Sequence, residues 1–200
     1  MRKRVLLVGL FFPSQSKIFT TRVMAEKLDL ISKCIRTFYD FPTKGIVFKD
    51  ICPILKDPKA LAAVTDLFEE HVRRRYPQVD LIVGIDARGF LFGPLLAQRL
   101  GVGFVPVRKK GKFPGPTLSV AYSLEYGTAE AEMQEDAVSA GEKVLIIDDL
   151  LATGGTLYAA CELIKQQKAE VLGCLVVIEL KSLNGSEKLP STPVFSLIQY

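Results

Sequence analysis

Val144-Leu145-Ile146-Ile147-Asp148-Asp149-Leu150-Leu151-Ala152-Thr153-Gly154-Gly155-Thr156 is the stretch that decides how the chain folds. Its opening apolar residues show no polar alternation, which marks a strand covered on both faces, as in a parallel sheet. The strand ends in two adjacent carboxylates. A turn with two glycines and two threonines follows, and a helix is predicted to begin near Leu157. Glycines let backbone N–H groups converge on an anion, Thr153 and Thr156 add hydroxyl donors, and the helix N-terminus adds partial positive charge. The turn is therefore a phosphate cradle. It has neither the GxxxxGK[ST] of a Walker A loop nor the GxGxxG of a dinucleotide site. Two aspartates beside an anion site repel the anion unless they do other work. Sugar hydroxyls or a bound Mg2+ would supply that work.

Working outward, three more apolar runs resemble the first: Leu81 to Ile85, Gly103 to Val107 and Val171 to Ile178. Helical stretches at 90–100 and 155–168 separate them. Strand, helix, strand, repeated, predicts an α/β fold with a parallel, Rossmann-like central sheet flanked by helices and right-handed crossovers. Ligands in such sheets bind beyond the carboxyl ends of the strands, here after Ile85, Val107 and Ile147. Upstream, Leu28, Ile31, Ile35 and Phe38 share one helical face, predicting a helix over 25–38. Pro42 and Gly45 break it, and Ile46-Val47-Phe48 reads as a short extended piece. Asp57-Pro58 opens another helix. Lys109 to Gly127 reads as a long basic loop of the kind that forms a lid.

Net charge is +4, from 26 Lys plus Arg and 22 Asp plus Glu, too mild to argue for nucleic acid. Cys34, Cys52, Cys161 and Cys174 form no CxxC pair, and they read as small apolar residues in a reducing compartment. The single histidine, His71, lies in a charged run and reads as helix surface, so no histidine general base is expected. Residues 1–23 contain no Asp or Glu and combine Arg2, Lys3 and Arg4 with the apolar run Val5 to Phe12. They read either as a signal or transit segment, for instance mitochondrial, or as a disordered or alternative extension before a start at Met24. Both readings stay open. The run is too short to span a membrane. The expected organisation is an extension, 1–23, and one domain, 24–200, in the cytoplasm unless the extension targets it.

The segment around Asp148 and Asp149 resembles the phosphoribosyl pyrophosphate (PRPP) signature of the type I phosphoribosyltransferases. Phe41 to Asp50, Gly84 to Pro94, Arg108 to Thr117 and Tyr122 to Gly127 follow in order, and together they resemble the adenine-specific branch of that family. The resemblance covers roughly 24–200. It implies a small N-terminal hood, a mobile lid from about Lys109 to Tyr126, and transfer of a 5-phosphoribosyl group from PRPP to adenine, giving AMP and pyrophosphate. Asp148 and Asp149 would anchor the ribose hydroxyls, and Ala152, Thr153, Gly154, Gly155 and Thr156 would grip the 5-phosphate. Arg88 would neutralise the leaving pyrophosphate with Mg2+, which is held through substrate pyrophosphate and ribose. Lys109 and Lys112 would assist from the lid, and Tyr126 would exclude water. Glu125 is the candidate acid/base. Val47, Lys49 and Leu150 would hold adenine. A homodimer is implied, with the lid of one subunit able to serve its neighbour's site. Family members often carry Arg where this chain has Lys49 and Lys110, and Ser where it has Ala87.

Two rival readings remain. A hypoxanthine, guanine or xanthine enzyme would need a donor for a 6-carbonyl, and Lys181 follows a strand at a suitable place. A non-catalytic PRPP-sensing regulator usually appends a DNA-binding domain, for which residues 1–23 are too short.

Overall fold

The computed structural model describes residues 15–124 and 127–200, with side chains over 22–122 and 129–200. Helix α1 (Gln15–Lys33) leads into a two-stranded antiparallel hood, β1 (Arg36–Tyr39) and β2 (Val47–Asp50). Helix α1 runs through Met24 without a break and stops five residues short of the predicted end. Thr37, Phe38 and Tyr39 are β-formers, and pairing with β2 satisfies their backbone better than another helical turn. The hood is tied down at its base. Arg36 Nε donates to Asp50 Oδ2 at 2.9 Å, and Asp50 Oδ1 accepts the Cys52 N–H at 2.8 Å.

Short α2 (Cys52–Lys56) precedes α3 (Pro58–Arg75). Asp57 caps α3, its Oδ1 accepting from the amides of Lys59 and Ala60 at 2.8 and 3.2 Å. Pro58 fits the first turn, and Arg73, Arg74 and Arg75 lie in the last turn, where cations suit the dipole. Then come β3 (Leu81–Ile85), a 3-10 turn at Arg88–Leu91, α4 (Gly93–Leu100) and β4 (Gly103–Lys109). They are followed by β5 (Thr117–Leu124), β6 (Gly127–Gln134), β7 (Lys143–Leu151), α5 (Gly155–Gln166), β8 (Glu170–Glu179) and β9 (Val194–Gln199).

The main sheet runs β5-β6-β4-β3-β7-β8-β9. Its five strands from β4 to β9 are parallel, as the apolar runs predict, and β6 and β5 extend it antiparallel. Alternate residues of each central strand feed two cores. Val144 and Ile146 pack with α5 residues such as Leu157, Ala160 and Ile164, together with Met133 of β6. Leu145 and Ile147 pack on the opposite face with Phe68 of α3, Leu96 of α4 and Ile31 of α1. All are buried, which is why the strand reads as continuous apolar sequence rather than alternation.

Two further expectations change. First, 109–127 is not one long loop. Its second half is strand β5, paired with β6 from Thr117↔Gln134 to Leu124↔Gly127, and among the described residues of this stretch only 110–116 is irregular. Leu118, Val120 and Tyr122 alternate onto the core face. Second, His71 is not solvated. It stacks on Phe195 with ring centroids 3.6 Å apart, and both ring nitrogens are enclosed without a hydrogen-bond partner. Burial and the nearby Arg74 and Arg75 hold its pKa below the usual imidazole value, which suits a neutral packing residue. Phe92 is buried and Phe90 meets Phe104 edge-on, as packing residues should.

Candidate active site

Strands β3 and β7 are adjacent and parallel, so their carboxyl ends deliver Ile85 to Arg88 and Asp148 to Thr156 to the same place. Between them lies a cavity of about 260 Å3, lined by Asp86, Ala87, Arg88, both aspartates and the whole turn from Leu150 to Thr156. The Asp86–Ala87 peptide is cis. Gly154 has φ +80° and is the N-cap immediately before α5, so the cradle turns into the helix through a left-handed residue. A Cβ there would strike the carbonyl oxygen of Gly185, and a Cβ on Gly185 would strike that of Ala152. Two bare backbones therefore press together behind the cradle.

Asp148 and Asp149 are 8% and 2% exposed. Asp148 Oδ1 accepts the Asp149 N–H at 2.8 Å. Asp149 Oδ2 lies 3.0 Å from Arg88 Nε, yet off the angle of a hydrogen bond, so it is ion-paired and still lacks a donor. Such a buried acceptor suits a sugar hydroxyl. Burial, then the Asp149 charge beside it, holds Asp148 well above the usual carboxylate range. Burial also raises Asp149, and Arg88 moderates the rise.

A second cavity of about 690 Å3 adjoins the first and shares Arg88, Leu150 and Ala152 with it. Its walls include Ile46, Val47, Phe48 and Lys49 of the hood, and Leu180, Leu183 and Tyr200 from the far end of the sheet. This is the size and apolar character of a small-molecule site. Val47, Lys49 and Leu150, expected from the sequence at the base, all lie here. Phe48, Leu180, Leu183 and Tyr200 were not anticipated. Phe48 lies inside the Phe41 to Asp50 segment without having been singled out, no local motif marks the other three, and only β9, pairing parallel to β8, brings Tyr200 round.

Lys109 and Lys112 line neither cavity. Lys109 ends β4 and Lys112 lies within the irregular 110–116 segment, which hangs from Glu132. That carboxylate is 3% exposed and accepts the amides of Lys112 and Phe113 at 2.7 and 3.1 Å. Burial raises its pKa, but the amides of Gly111, Lys112 and Phe113 outweigh that and leave it lowered. Its contribution to stability is thus present above the unfolded-state pKa and fades as pH falls through the lower folded value. Glu132→Gln should cost about 1–3 kcal/mol near neutral pH and remove that acid-side dependence; thermal unfolding across pH checks both. Glu125 and Tyr126 lie outside the described residues. Among the described residues no helix is long and apolar enough to cross a membrane, and no group of three or more His, Cys, Asp or Glu could hold a metal.

Comparison with known proteins fits this geometry. Residues 53–198 match the phosphoribosyl transferase domain. Adenine phosphoribosyltransferase of Rattus norvegicus is 55% identical over 176 residues, 88% of this chain and 98% of that protein. The crystal structure of adenine phosphoribosyltransferase from Thermoanaerobacter pseudethanolicus superposes with a TM-score of 0.83 at 49% identity, over 86% of this chain and 99% of that one. The Saccharomyces cerevisiae structure, complexed with an imino-altritol bisphosphate and adenine, gives 0.84 at 43% identity over the same shares. A buried acidic pair before a glycine cradle, on this sheet and with these relatives, places the chain in the phosphoribosyl transferase family, within its adenine phosphoribosyltransferases.

Proposed function

We infer that this enzyme joins adenine to the 5-phosphoribosyl group of PRPP, releasing AMP and pyrophosphate, a purine-salvage reaction. One observation carries the reading: the anion cradle with its acidic floor opens directly into an apolar chamber, with Arg88, Leu150 and Ala152 at the junction. A sugar phosphate in the first and a flat base in the second would meet at the sugar's anomeric carbon.

The chemistry needs positioning and charge stabilisation rather than a covalent nucleophile. Amides and hydroxyls from Ala152 to Thr156 fix the 5-phosphate. Asp148 and Asp149 accept from the ribose hydroxyls and favour positive charge on the ring as the C1–O bond to pyrophosphate breaks. Arg88 stands at the junction to meet the leaving pyrophosphate. Val47 and Leu150 bracket the base. Glu125 carries over from the sequence as proton carrier, and Tyr126 as part of the closure. Lys109 and Lys112, which line neither cavity, would assist when the lid closes, across a homodimer interface.

Mg2+ fits as a substrate-borne ion. It commonly keeps its waters and takes substrate phosphates plus one or two carboxylates, and the acidic pair offers no more than that. Bound with PRPP, it would neutralise pyrophosphate charge.

Pyrophosphate release from PRPP should be measured with adenine, hypoxanthine and guanine, with and without Mg2+. We expect adenine to be favoured at least about 100-fold in kcat/KM and the reaction to need Mg2+. Comparable rates with a 6-oxopurine would replace the adenine reading with the broader purine one. PRPP binding without turnover of any base would leave only a sensor.

A further inference from the structure

We propose that Tyr200 is a specificity-determining residue: its ring withholds the Lys49 ammonium from the base chamber and so biases that chamber toward a 6-amino purine. The inference deepens the adenine reading and rests on it.

An ammonium has three donors and no acceptor. Exposed inside the chamber, it would reward a base with a carbonyl at position 6 and offer nothing to an amino group. Lys49 lines this chamber. Its Nζ sits 3.6 Å from the centroid of the Tyr200 ring and donates to Thr37 Oγ1 at 3.0 Å. The charge is thus held against a π face on one side and a hydroxyl on the other. Lys181, whose neighbours Leu180 and Ser182 also line the chamber, is engaged as well: its Nζ lies 2.8 Å from Glu179 Oε1. Arg88 is paired with Asp149. Lys49, Lys181 and Arg88 are therefore committed elsewhere; Lys44, which also lines the chamber, belongs to the hood loop between β1 and β2 and is not among them.

Tyr200 is well fastened for the task. Its N–H donates to the Glu179 carbonyl at 3.0 Å, and its own carbonyl accepts the Lys181 N–H at 2.8 Å. Glu179 is in turn 4% exposed and held by Ser196 Oγ at 2.8 Å and Gln199 Nε2 at 3.2 Å. The end of β9 is locked to the end of β8, which fixes the ring at the chamber wall. Specificity arises here by removing a wrong donor as much as by supplying a right acceptor.

The test compares adenine with hypoxanthine in direct competition, in full-length enzyme with PRPP and Mg2+. Tyr200→Leu should lower the adenine preference about tenfold, chiefly through a smaller KM for hypoxanthine, while Tyr200→Phe keeps it. Adding Lys49→Met to Tyr200→Leu should restore the preference, because the released ammonium is gone. Thr37→Val releases the same ammonium from its other partner and should relax the preference too, which covers the case of a Tyr200 variant that does not fold. Equal changes in kcat/KM for both bases, or a relaxed preference that survives Lys49→Met, would overturn the inference alone. A wild-type enzyme that does not use adenine would overturn the transfer reading with it.

Discussion

Asp149→Asn should fold normally and turn over about 100-fold more slowly. The side chain keeps its size, so the strand and its packing are undisturbed. What is lost is a negative charge beneath a ring that becomes positive in the transition state, in a site where burial strengthens each interaction. One acceptor becomes a donor at the same time, facing sugar hydroxyls that need acceptors. Stability should move the other way. The folded pKa of Asp149 is raised, so the native state binds more protons than the unfolded chain between the two values. Stability therefore falls as pH rises through that window and stays reduced above it. Asparagine removes this dependence, and the melting temperature at neutral pH should be unchanged or higher. Steady-state kinetics with PRPP and adenine, alongside thermal unfolding at several pH values, checks both. Wild-type turnover would end the ribose-anchoring role; a collapsed melting temperature would make Asp149 a structural brace instead.

Gly154→Val should be the most damaging single change in the cradle. At φ +80° a β-branched side chain is strained by roughly 1–2 kcal/mol before any contact is counted. Its Cβ also meets the Gly185 carbonyl, which is backbone and cannot swing aside. The turn must open, and the amides that converge on the 5-phosphate would diverge. We expect a melting temperature lower by about 5–10 °C and a KM for PRPP raised at least tenfold, with the KM for adenine much less affected. Gly185→Ala approaches the same contact from behind, against the Ala152 carbonyl, and should reproduce a weaker form of the defect. An unchanged PRPP KM in Gly154→Val would show that the turn does not hold phosphate.

The parallel core was legible because its strands are covered on both faces. Leu81 to Ile85 and Val144 to Ile147 have no solvent side and so carry no polar residues to blur them. The acidic pair and cradle were legible because carboxylates and glycines rarely adjoin without a chemical reason. Strand β5 was missed for the opposite cause. Leu118, Val120 and Tyr122 alternate with Ser119, Ala121 and Ser123, a half-covered pattern masked by the lysines and prolines before it. The helix predicted over 25–38 failed at its end, where the spacing of Ile35 and Phe38 suited a helix but tertiary pairing with β2 prevailed. Tyr200 could not be assigned from local sequence, since its place depends on which strand β9 pairs with.

Arg88 touches both chambers at once. If the first substrate to arrive sets the direction that this guanidinium faces for the second, the two occupancies become thermodynamically interdependent. By linkage the effect is mutual, so any tightening of adenine by bound PRPP equals the tightening of PRPP by bound adenine.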